Sequence, residues 1–550
     1  MAQSTATRDF HAPGRSPVLS GNAMTATSMP VATLVALDLL RAGGNAMDAA
    51  IGACAVLGVV EPQSTGIGGD CFCLYAPAQG APPGGVVAMN GSGRAPAGAT
   101  LDALRAAGEG GENPGPTSAH SVTVPGAVAA WAALSEAHGR LGLDAVLAPA
   151  IRLAEEGHPV HPRVAADWED AADKLRLTEA ASRRFLPGGR APSVGDRFAQ
   201  PELARTLRAV ARDGARAFYE GEVAADMVAT LRAAGGLHTE DDFAEGLHAA
   251  EFVTPIRTTW RGLDIVQCPP NGSGLLVLTM LNTLGGFDTP PGGPLSVARL
   301  HRHAEVARLA YRDRDAFLAD PAHAGVDVAR LTSPEYGAAL RGLIRDDRAM
   351  AEMPPAGVAE WLPAHADTVY LCVVDADGNA CSFINSLFAS FGCGLLAERS
   401  GVMFHNRGHG FRLEAGHPNC VAPRKRPLHT IIPGMAMRGG RAVMPFGVMG
   451  GHFQPMGQTL FLSNHVEHGL DVQAALDLPR LFPDVGAGHR TIAVERGIPP
   501  EAVAGLERLG HATRVVAKPH GGGQAILVDH ARGVLVGGSD PRKDGCALGY

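Results

Sequence analysis

The sequence predicts a mixed α/β protein of the α+β type, in which a largely helical part precedes a part built mainly of strands. Of its 550 residues, 46% are apolar and 19% are charged, which supplies enough apolar side chain for a large core. Helical apolar periodicity dominates the first two-thirds, and strand-like runs dominate after Asp367. The 70 glycines and 40 prolines, with 5% aromatic residues, predict a small-residue interior with many tight turns.

Charge and cysteine usage exclude several classes of protein. The net charge is −8 and the pI is near 6.3, which argues against a nucleic-acid binder because such proteins need a basic face. The nine cysteines are scattered singly, so they form neither a disulfide framework nor a structural zinc motif. Residues 1–20 lack a secretory signal, and the longest apolar stretches, such as residues 49–60, are too short to span a membrane. We therefore expect a soluble, cytoplasmic protein without cofactor, metal, nucleic-acid or membrane partner.

The first part of the chain reads as two helices followed by two strands. Residues 30–40 have helical apolar periodicity and end at the Gly43-Gly44 pair, a helix C-terminal signal. A second helix starts after Asn45 and runs to Val60. Residues 61–70, rich in glycine and hydroxyl side chains, predict a turn before strand-like runs at 71–75 and 86–89.

The pattern then becomes helical for more than two hundred residues. Helices are predicted over residues 124–246, with breaks near 157–163 and 187–196, and again over about 275–350. A short strand is predicted at 265–268, and residues 353–366 are loop-like. Residues 368–374 and 380–387 predict two strands joined by a hairpin turn at 375–379, and further strands alternate with glycine turns to the end.

Common catalytic and ligand motifs are absent from the sequence. The glycines at 66–69 lack the dinucleotide-binding spacing, and no Walker loop, HExxH motif or GxSxG elbow is present. The hairpin beginning at Asp375 lacks the later ligands of a calcium loop. Four histidines, His405, His409, His429 and His452, have no recognised metal spacing, so we interpret them as hydrogen-bonding or anion-recognising groups.

Thr368 is the one residue whose position suggests nucleophilic chemistry. It lies at the start of a predicted strand, directly after a proline-rich loop and at the change in composition. If the chain were cut before it, Thr368 would carry both a hydroxyl and a free α-amine. The ordinary pKa of such an amine is about 7.7–8.0, so it can act as general base for its own hydroxyl.

The chain resembles the γ-glutamyltranspeptidase family over almost its whole length. The matching segments, in chain order, are residues 43–50, 61–69, 121–126, 218–221, 425–428, 539–542 and 549–550. The resemblance implies a four-layer αββα N-terminal-nucleophile hydrolase sandwich, made as a precursor that cleaves itself. It implies a large subunit of residues 1–367 and a small subunit of residues 368–550, which together form one intertwined fold. Whether two such αβ units pair into a dimer stays open.

The resemblance also assigns the catalytic residues. The family nucleophile precedes the Asp of a Val-Val-Asp turn by seven residues, which leads to Thr368 and implies cleavage between Asp367 and Thr368. Ser386 matches a second hydroxyl that supports the nucleophile. The pair Gly450-Gly451 matches the glycines whose N–H groups form an oxyanion hole.

The departures from the family pattern concern the substrate. The family Arg that binds the glutamyl α-carboxylate is replaced by Ser92, and the Asp that holds the α-amine is replaced by Gly410. A Ser-Ser pair becomes His429-Thr430, while Arg407 is gained. These changes indicate a small anionic amide substrate without an α-amino group, and the pattern resembles the oxamate amidohydrolase branch.

Arg407 and Arg94 are therefore candidate carboxylate ligands, because a guanidinium matches a carboxylate bidentately. His409, His429 and Thr430 are candidates to line the same pocket, although each histidine can equally be a loop hydrogen-bonder.

Three hypotheses for the function remain. The first is a self-processing amidohydrolase acting on a small amide acid, with oxamate as the best match. The second is a true γ-glutamyltransferase or glutathione hydrolase, which needs another acid in place of the one missing at Gly410. The third is an unprocessed relative that only binds a small acid.

Overall fold

Two seven-stranded antiparallel sheets lie face to face in the computed structural model, which describes residues 14–79, 85–354, 367–484 and 491–550. Side chains from both sheets form one apolar cluster between them, including Phe72 and Tyr370 from one sheet and Val266 and Met435 from the other. Helices pack on the outer face of each sheet. The expected four-layer αββα sandwich is confirmed.

The strands are numbered in chain order. They are β1 Val18–Ser20, β2 Met24–Thr27, β3 Asp70–Ala76, β4 Val87–Gly91, β5 His158–Pro159, β6 Arg197–Phe198, β7 Glu251–Val253, β8 Ile256–Trp260, β9 Leu263–Gln267, β10 Asp367–Val374, β11 Ala380–Phe388, β12 Leu396–Ala397, β13 Val402–Met403, β14 Gly434–Arg438, β15 Arg441–Met449, β16 Leu481–Pro483, β17 Thr491–Val494, β18 Ala512–Val515, β19 Gly522–Asp529, β20 Val534–Ser539 and β21 Cys546–Gly549.

The first large sheet has the strand order β1-β20-β19-β15-β14-β9-β8, and the second has the order β21-β2-β10-β11-β3-β4-β7. In the second sheet, β10 and β11 lie between β2 and β3, so strands from before and after Asp367 are interleaved. The first sheet is interleaved in the same way, because β14 pairs with β9.

The helices are also numbered in chain order. They are α1 Pro30–Arg41, α2 Ala46–Val60, α3 Leu101–Ala106, α4 Ala127–His138, α5 Leu143–Glu156, α6 Pro162–Asp170, α7 Ala172–Leu175, α8 Glu179–Phe185, α9 Pro201–Asp213, α10 Arg216–Tyr219, α11 Gly221–Ala233, α12 Glu240–Gly246, α13 Gly274–Leu284, α14 Val297–Phe317, α15 Val328–Leu331, α16 Pro334–Arg341, α17 Gln454–Val466, α18 Val472–Asp477 and α19 Pro500–Arg508.

Helix α2 lies against the sheet that contains β10, and all of its residues are buried. Asn45 begins it, because the Asn45 side chain accepts from the backbone N–H of Met47 and Asp48 while the Asp48 carboxylate accepts from Asn45. Packing at Gly52 is tight, since a Cβ there would lie 2.2 Å from Leu39 Cδ1 and 3.1 Å from the Val146 carbonyl oxygen, so that Leu39 would have to move. This tight packing fixes the sheet on which the candidate nucleophile lies.

The predicted early helices, the strand pairs at 71–75 and 86–89, and the hairpin after Asp367 agree with the structure. The division into a helical part and a stranded part was too coarse. Helices α17, α18 and α19 lie in the last third, and β1, β2, β7 and β8 lie in the first two-thirds. Most of the loop predicted at 353–366 falls at residues 355–366, outside the described residues. Among the described helices, none combines the length and the apolar character needed to cross a membrane.

Candidate active site

Thr368 lies at an irregularity in the pairing of β10 with β11. Asp367 is opposite Phe388 and Val369 is opposite Asn385, so one residue of β10 faces two of β11. A bulge of this kind turns a side chain out of the regular alternation of the strand. Thr368 is 1% exposed, and its Oγ1 lies 3.0 Å from Ser386 Oγ. The structure therefore brings the two predicted hydroxyl residues into contact.

Ser386 is held in place by its own strand. Its Oγ accepts a hydrogen bond of 2.8 Å from the Phe388 N–H. Phe388 has a positive φ of 74°, a backbone conformation that is rare for a bulky residue and is often found at functional sites. This bend ends β11 and directs the Phe388 ring toward Arg407, whose Cζ lies 4.2 Å from the ring centroid.

Gly450 and Gly451 form the turn between β15 and the start of α17. Their φ angles are 117° and 56°, and a Cβ on Gly450 would lie 2.8 Å from the Gly521 Cα, so glycine is needed there. The first N–H groups of a helix have no partner within that helix, which makes such a turn a source of free backbone donors. The imidazole of the next residue, His452, contacts the Phe388 ring edge-on, with the two ring centroids 5.9 Å apart.

Arg407 is a buried cation with incomplete hydrogen bonding. It is 1% exposed, and its Nη1 donates to Thr430 Oγ1 at 2.8 Å. Its Nε and Nη2 are buried and have no hydrogen-bond partner within the described part of the chain. Burial lowers the pKa of Arg407 to about 9, and the Asp70 carboxylate acts in the opposite direction. Buried charged donors without acceptors are costly unless a ligand pairs with them.

Asp70 is a functional candidate that sequence reasoning missed. It begins β3 opposite Ser386, and its carboxylate accepts from Gly93 N at 3.0 Å, Gly126 N at 3.1 Å and His429 Nε2 at 3.0 Å. Burial alone would raise the pKa of Asp70, but His405, followed by His429 and Arg407, holds it well below its usual range. Its position after a glycine pair and before a strand was the available signal.

His429 is a positioning group and does not offer an atom to a substrate. Its Nε2–H donates to Asp70, and its Nδ1 accepts from Ile431 N at 3.3 Å. Burial, and then the charge of Arg407, lowers the pKa of His429 to about 3, so the imidazole is neutral. Both ring nitrogens are therefore used inside the protein. These bonds favour a positioning role for His429 over the predicted contact with substrate, while the adjacent Thr430 does contact Arg407.

His409 retains one free nitrogen. Its Nδ1 lies 2.6 Å from the Pro114 carbonyl oxygen, to which it donates, and its buried Nε2 has no hydrogen-bond partner in the described ranges. Burial lowers the pKa of His409. It lies in the same short helical turn as Arg407, residues Arg407–Gly410, and stays a candidate for substrate contact.

Arg94 is not joined to this group. Its Nη2 lies 2.9 Å from Glu251 Oε1 and its Nη1 lies 3.7 Å from Asp320 Oδ2, so its charge is already compensated. It lines a separate cavity of about 300 Å³ together with Glu245, Glu251 and Arg424. The structure does not bring Arg94 into contact with Arg407, and its ion pairs favour a structural role over the predicted carboxylate contact.

The four histidines near 405–452 do not form a ligand set, since each has its own partners. Among the described residues, the one converging group of potential metal ligands is His301, Glu305 and His511. Glu305 Oε1 lies 2.7 Å from Arg308 Nη1, and the two imidazoles lie 2.8 Å apart through a hydrogen bond. A divalent cation added beside this neutral buried ion pair would leave an uncompensated buried charge, so we assign no metal site there.

Two interleaved antiparallel sheets covered by helices, with the candidate hydroxyl nucleophile near the start of a central strand, match an N-terminal-nucleophile hydrolase fold. The family model described as Gamma-glutamyltranspeptidase matches residues 32–550. The chain belongs to the γ-glutamyltranspeptidase family, whose members hydrolyse C–N amide bonds.

Two curated relatives and one solved structure cover nearly the whole chain. It is 36% identical over 518 residues to the glutathione hydrolase-like YwrD proenzyme of Bacillus subtilis, covering 93% of this chain and 95% of the relative. It is 34% identical over 542 residues to the oxamate amidohydrolase proenzyme of Klebsiella pneumoniae, covering 97% and 99%. The crystal structure of cephalosporin acylase from Bacillus halodurans matches with a TM-score of 0.90 and 38% identity, covering 100% of this chain and 99% of that one.

Proposed function

We propose that this protein is a self-processing N-terminal-threonine amidohydrolase that cleaves a small amide acid, with oxamate converted to oxalate and ammonia as the best match. The observation that carries the proposal is the buried Arg407, whose Nε and Nη2 have no acceptor among the residues that the structure describes. A carboxylate would supply them, and Arg407 is linked through Phe388 to the Thr368–Ser386 pair. The similarity to a relative named oxamate amidohydrolase supports this substrate.

Processing begins in the precursor, where the Thr368 nitrogen is an amide and cannot act as a base. The Thr368 hydroxyl attacks the Asp367 carbonyl carbon, the peptide C–N bond breaks, and its nitrogen takes a proton to become the free α-amine. The resulting ester is hydrolysed by water. The large subunit, residues 1–367, then ends in a carboxylate, and the small subunit, residues 368–550, begins with Thr368.

Turnover uses the same hydroxyl with the new amine as its base. The amine accepts the Thr368 hydroxyl proton while the oxygen attacks the amide carbon of the substrate. The proton passes to the leaving nitrogen, ammonia departs, and water hydrolyses the oxalyl ester. N–H groups at Gly450 and Gly451 stabilise the oxyanion, an effect worth about 3–4 kcal/mol of barrier per donor in other enzymes.

The charges around Arg407 favour a substrate without an ammonium group. Asp70 is the carboxylate that interacts with Arg407, and it is occupied by two backbone N–H groups and His429. An acid introduced at Gly410 would not fit without rearrangement, because a Cβ there would lie 2.9 Å from the Leu428 carbonyl oxygen.

A panel of amides monitored by ammonia release tests the proposal. The panel contains oxamate, malonamate, succinamate, glutamine and a γ-glutamyl anilide, assayed with the processed wild-type enzyme. We expect the highest kcat/KM for oxamate or a homologue without an α-amine. Faster turnover of the γ-glutamyl anilide or of glutathione would overturn the assignment.

The second candidate function is that of a γ-glutamyltransferase or glutathione hydrolase. It is favoured by the similarity to proteins named glutathione hydrolase, one of them 30% identical over 559 residues, from Escherichia coli. Release of the anilide that increases with added acceptor peptide would identify this activity. A third candidate, a non-enzymatic small-acid binder, predicts that the purified protein stays a single uncut band on prolonged incubation.

The same proposal includes a cytoplasmic location and leaves pairing of two αβ units open. This location is supported by the cysteines, since none of the nine forms a disulfide and seven of them are buried thiols. Fractionation of cells tests the location, and sedimentation of the processed protein tests the assembly.

A further inference from the structure

His452 is held at two atoms by helix α14. The Tyr311 hydroxyl donates to the His452 carbonyl oxygen, and Arg314 Nη1 lies 2.9 Å from His452 Nδ1. A guanidinium has N–H donors and no acceptor, so His452 Nδ1 must accept through its lone pair. A neutral imidazole that accepts at Nδ1 carries its proton on Nε2. Arg314 therefore fixes His452 as a donor at Nε2.

That donor is buried and unpaired next to the candidate carboxylate site. His452 is 2% exposed, and its Nε2 has no hydrogen-bond partner within the residues that the structure describes. The His452 ring lies edge-on to Phe388 at 5.9 Å, and Arg407 lies over the Phe388 ring at 4.2 Å. Three unpaired donor atoms, His452 Nε2 and Arg407 Nε and Nη2, thus flank one aromatic ring.

These three donors distinguish between substrate groups by charge and by hydrogen bonding. A carboxylate offers two acceptor oxygens, which satisfy an imidazole N–H and a guanidinium edge together. An ammonium group at the same place would meet a cation and a second donor, with no acceptor between them. Rejection of the wrong group is as much a part of specificity as attraction of the right one.

We propose that His452 is a specificity-determining residue that donates its Nε2–H to the substrate carboxylate beside Arg407, and that Arg314 is the positioning residue that fixes this proton. The inference rests on the proposed function and narrows its substrate class. The class is that of amide acids with a carboxylate close to the scissile amide and without an α-ammonium group.

Two substitutions at His452 separate hydrogen bonding from packing. His452→Leu removes the donor, and we expect the KM for oxamate and the dissociation constant of oxalate to rise about tenfold or more, with a smaller change in kcat. His452→Gln keeps a donor on its amide nitrogen and should retain most of the affinity. His465→Gln, on helix α17 that follows His452, is the control and should leave both constants unchanged. Equal losses of oxalate affinity in His452→Leu and His452→Gln would overturn the inference. Unchanged affinity in both variants would overturn it as well.

Arg314→Gln tests the positioning role through pH. The charged and titratable groups that face His452 are Arg314 and Tyr311 from α14, and Arg407 and His409 from the turn at 407–410. Burial, followed by the charge of Arg314, holds the pKa of His452 well below its usual range. Without Arg314, that pKa should rise, so oxalate should bind more tightly as pH falls from 8 to 6, more steeply than in the wild type. Identical pH profiles would remove Arg314 from this role.

Oxalate binding by calorimetry separates this inference from the proposed function, because it needs no turnover. If the wild type binds oxalate but releases no ammonia from any amide acid, the proposed function fails, and His452 is still judged from oxalate binding. If the wild type hydrolyses oxamate and His452→Leu binds oxalate unchanged, the inference alone fails. Self-cleavage and the denaturation midpoint of each variant show that it has folded.

Discussion

The hydroxyl oxygens of Thr368 and Ser386 lie 3.0 Å apart at the bulge between β10 and β11. Ser386 Oγ also accepts the Phe388 N–H at 2.8 Å, which holds this hydroxyl beside Thr368 Oγ1. This geometry supports the proposal that the Thr368 hydroxyl attacks and that Ser386 stabilises it.

Thr368→Ala should give one uncut chain that releases no ammonia, because the attacking oxygen is absent. Thr368→Ser keeps the hydroxyl and should be cut and turn over, more slowly if the lost methyl group loosens the side-chain rotamer. Gel electrophoresis and an ammonia assay give both results. N-terminal sequencing of the small wild-type fragment should begin Thr-Val-Tyr-Leu-Cys, and a fragment with another start would contradict the mechanism.

Ser386→Ala should lower kcat by about 10- to 100-fold with little change in KM, since a hydrogen bond to a developing charge is worth about 1.5–3 kcal/mol. Ser382→Ala is the control, because Ser382 lies on the same strand and bonds to the Tyr370 hydroxyl at 2.8 Å. Steady-state kinetics on the processed proteins compare the two. A similar loss in both variants would indicate a general effect on β11.

Arg407→Ala should raise the KM for oxamate by an amount equivalent to about 2–5 kcal/mol, as when one partner of a buried charge pair is removed. Self-cleavage should remain, because Arg407 contacts Thr430 and Phe388 and makes no described bond to Thr368. Arg94→Ala is the matched control and should leave KM unchanged. A raised KM in the Arg94 variant with none in the Arg407 variant would reverse the assignment.

The Asp70–His429 pair should make stability depend on pH. The folded pKa of His429 is about 3, against about 6.5 in the unfolded chain, so the unfolded state binds the extra proton first. The contribution of His429 to the free energy of unfolding is therefore complete above about pH 6.5. It decreases as pH falls from 6.5 toward 3, by up to about 1.4 kcal/mol per pH unit. The depressed pKa of Asp70 adds a further loss below its ordinary value.

Urea denaturation at several pH values measures this effect. His429→Gln should flatten the decline in stability between pH 6.5 and 5, whereas substitution of the exposed His530 by Gln should not. An unchanged decline in the His429 variant would show that other groups cause it.

The sequence was sufficient where the chemistry lies in short, continuous segments. Thr368 is the second residue of β10, Ser386 lies on the next strand of the same hairpin, and Gly450-Gly451 form one turn, so local patterns and the family resemblance were enough to propose them as candidates. Helix α17 was missed because its first residues carry a proline and glycines that are typical of turns.

Pairings between distant segments could not be predicted from the sequence. His429 bonds to Asp70, which is 359 positions away in the sequence, and Arg94 bonds to Glu251, which is 157 positions away. Which carboxylate neutralises which cation depends on how the two sheets bring their ends together. That Arg407 Nε and Nη2 find no acceptor among the described residues is equally a property of the folded chain, because nothing in residues 405–411 shows whether an acid will lie beside them.

The interleaving of strands has a consequence for the cut protein. In one sheet β10 and β11 are flanked by β2 and β3, and in the other β14 is flanked by β9 and β15, so each fragment completes the sheets of the other. Dilution or added salt would not separate the two fragments. Separation would require both sheets to unfold. Neither half can be expected to fold when it is made alone. The proposed cleavage before Thr368 would thus create a new chain end inside a finished molecule without creating a removable subunit.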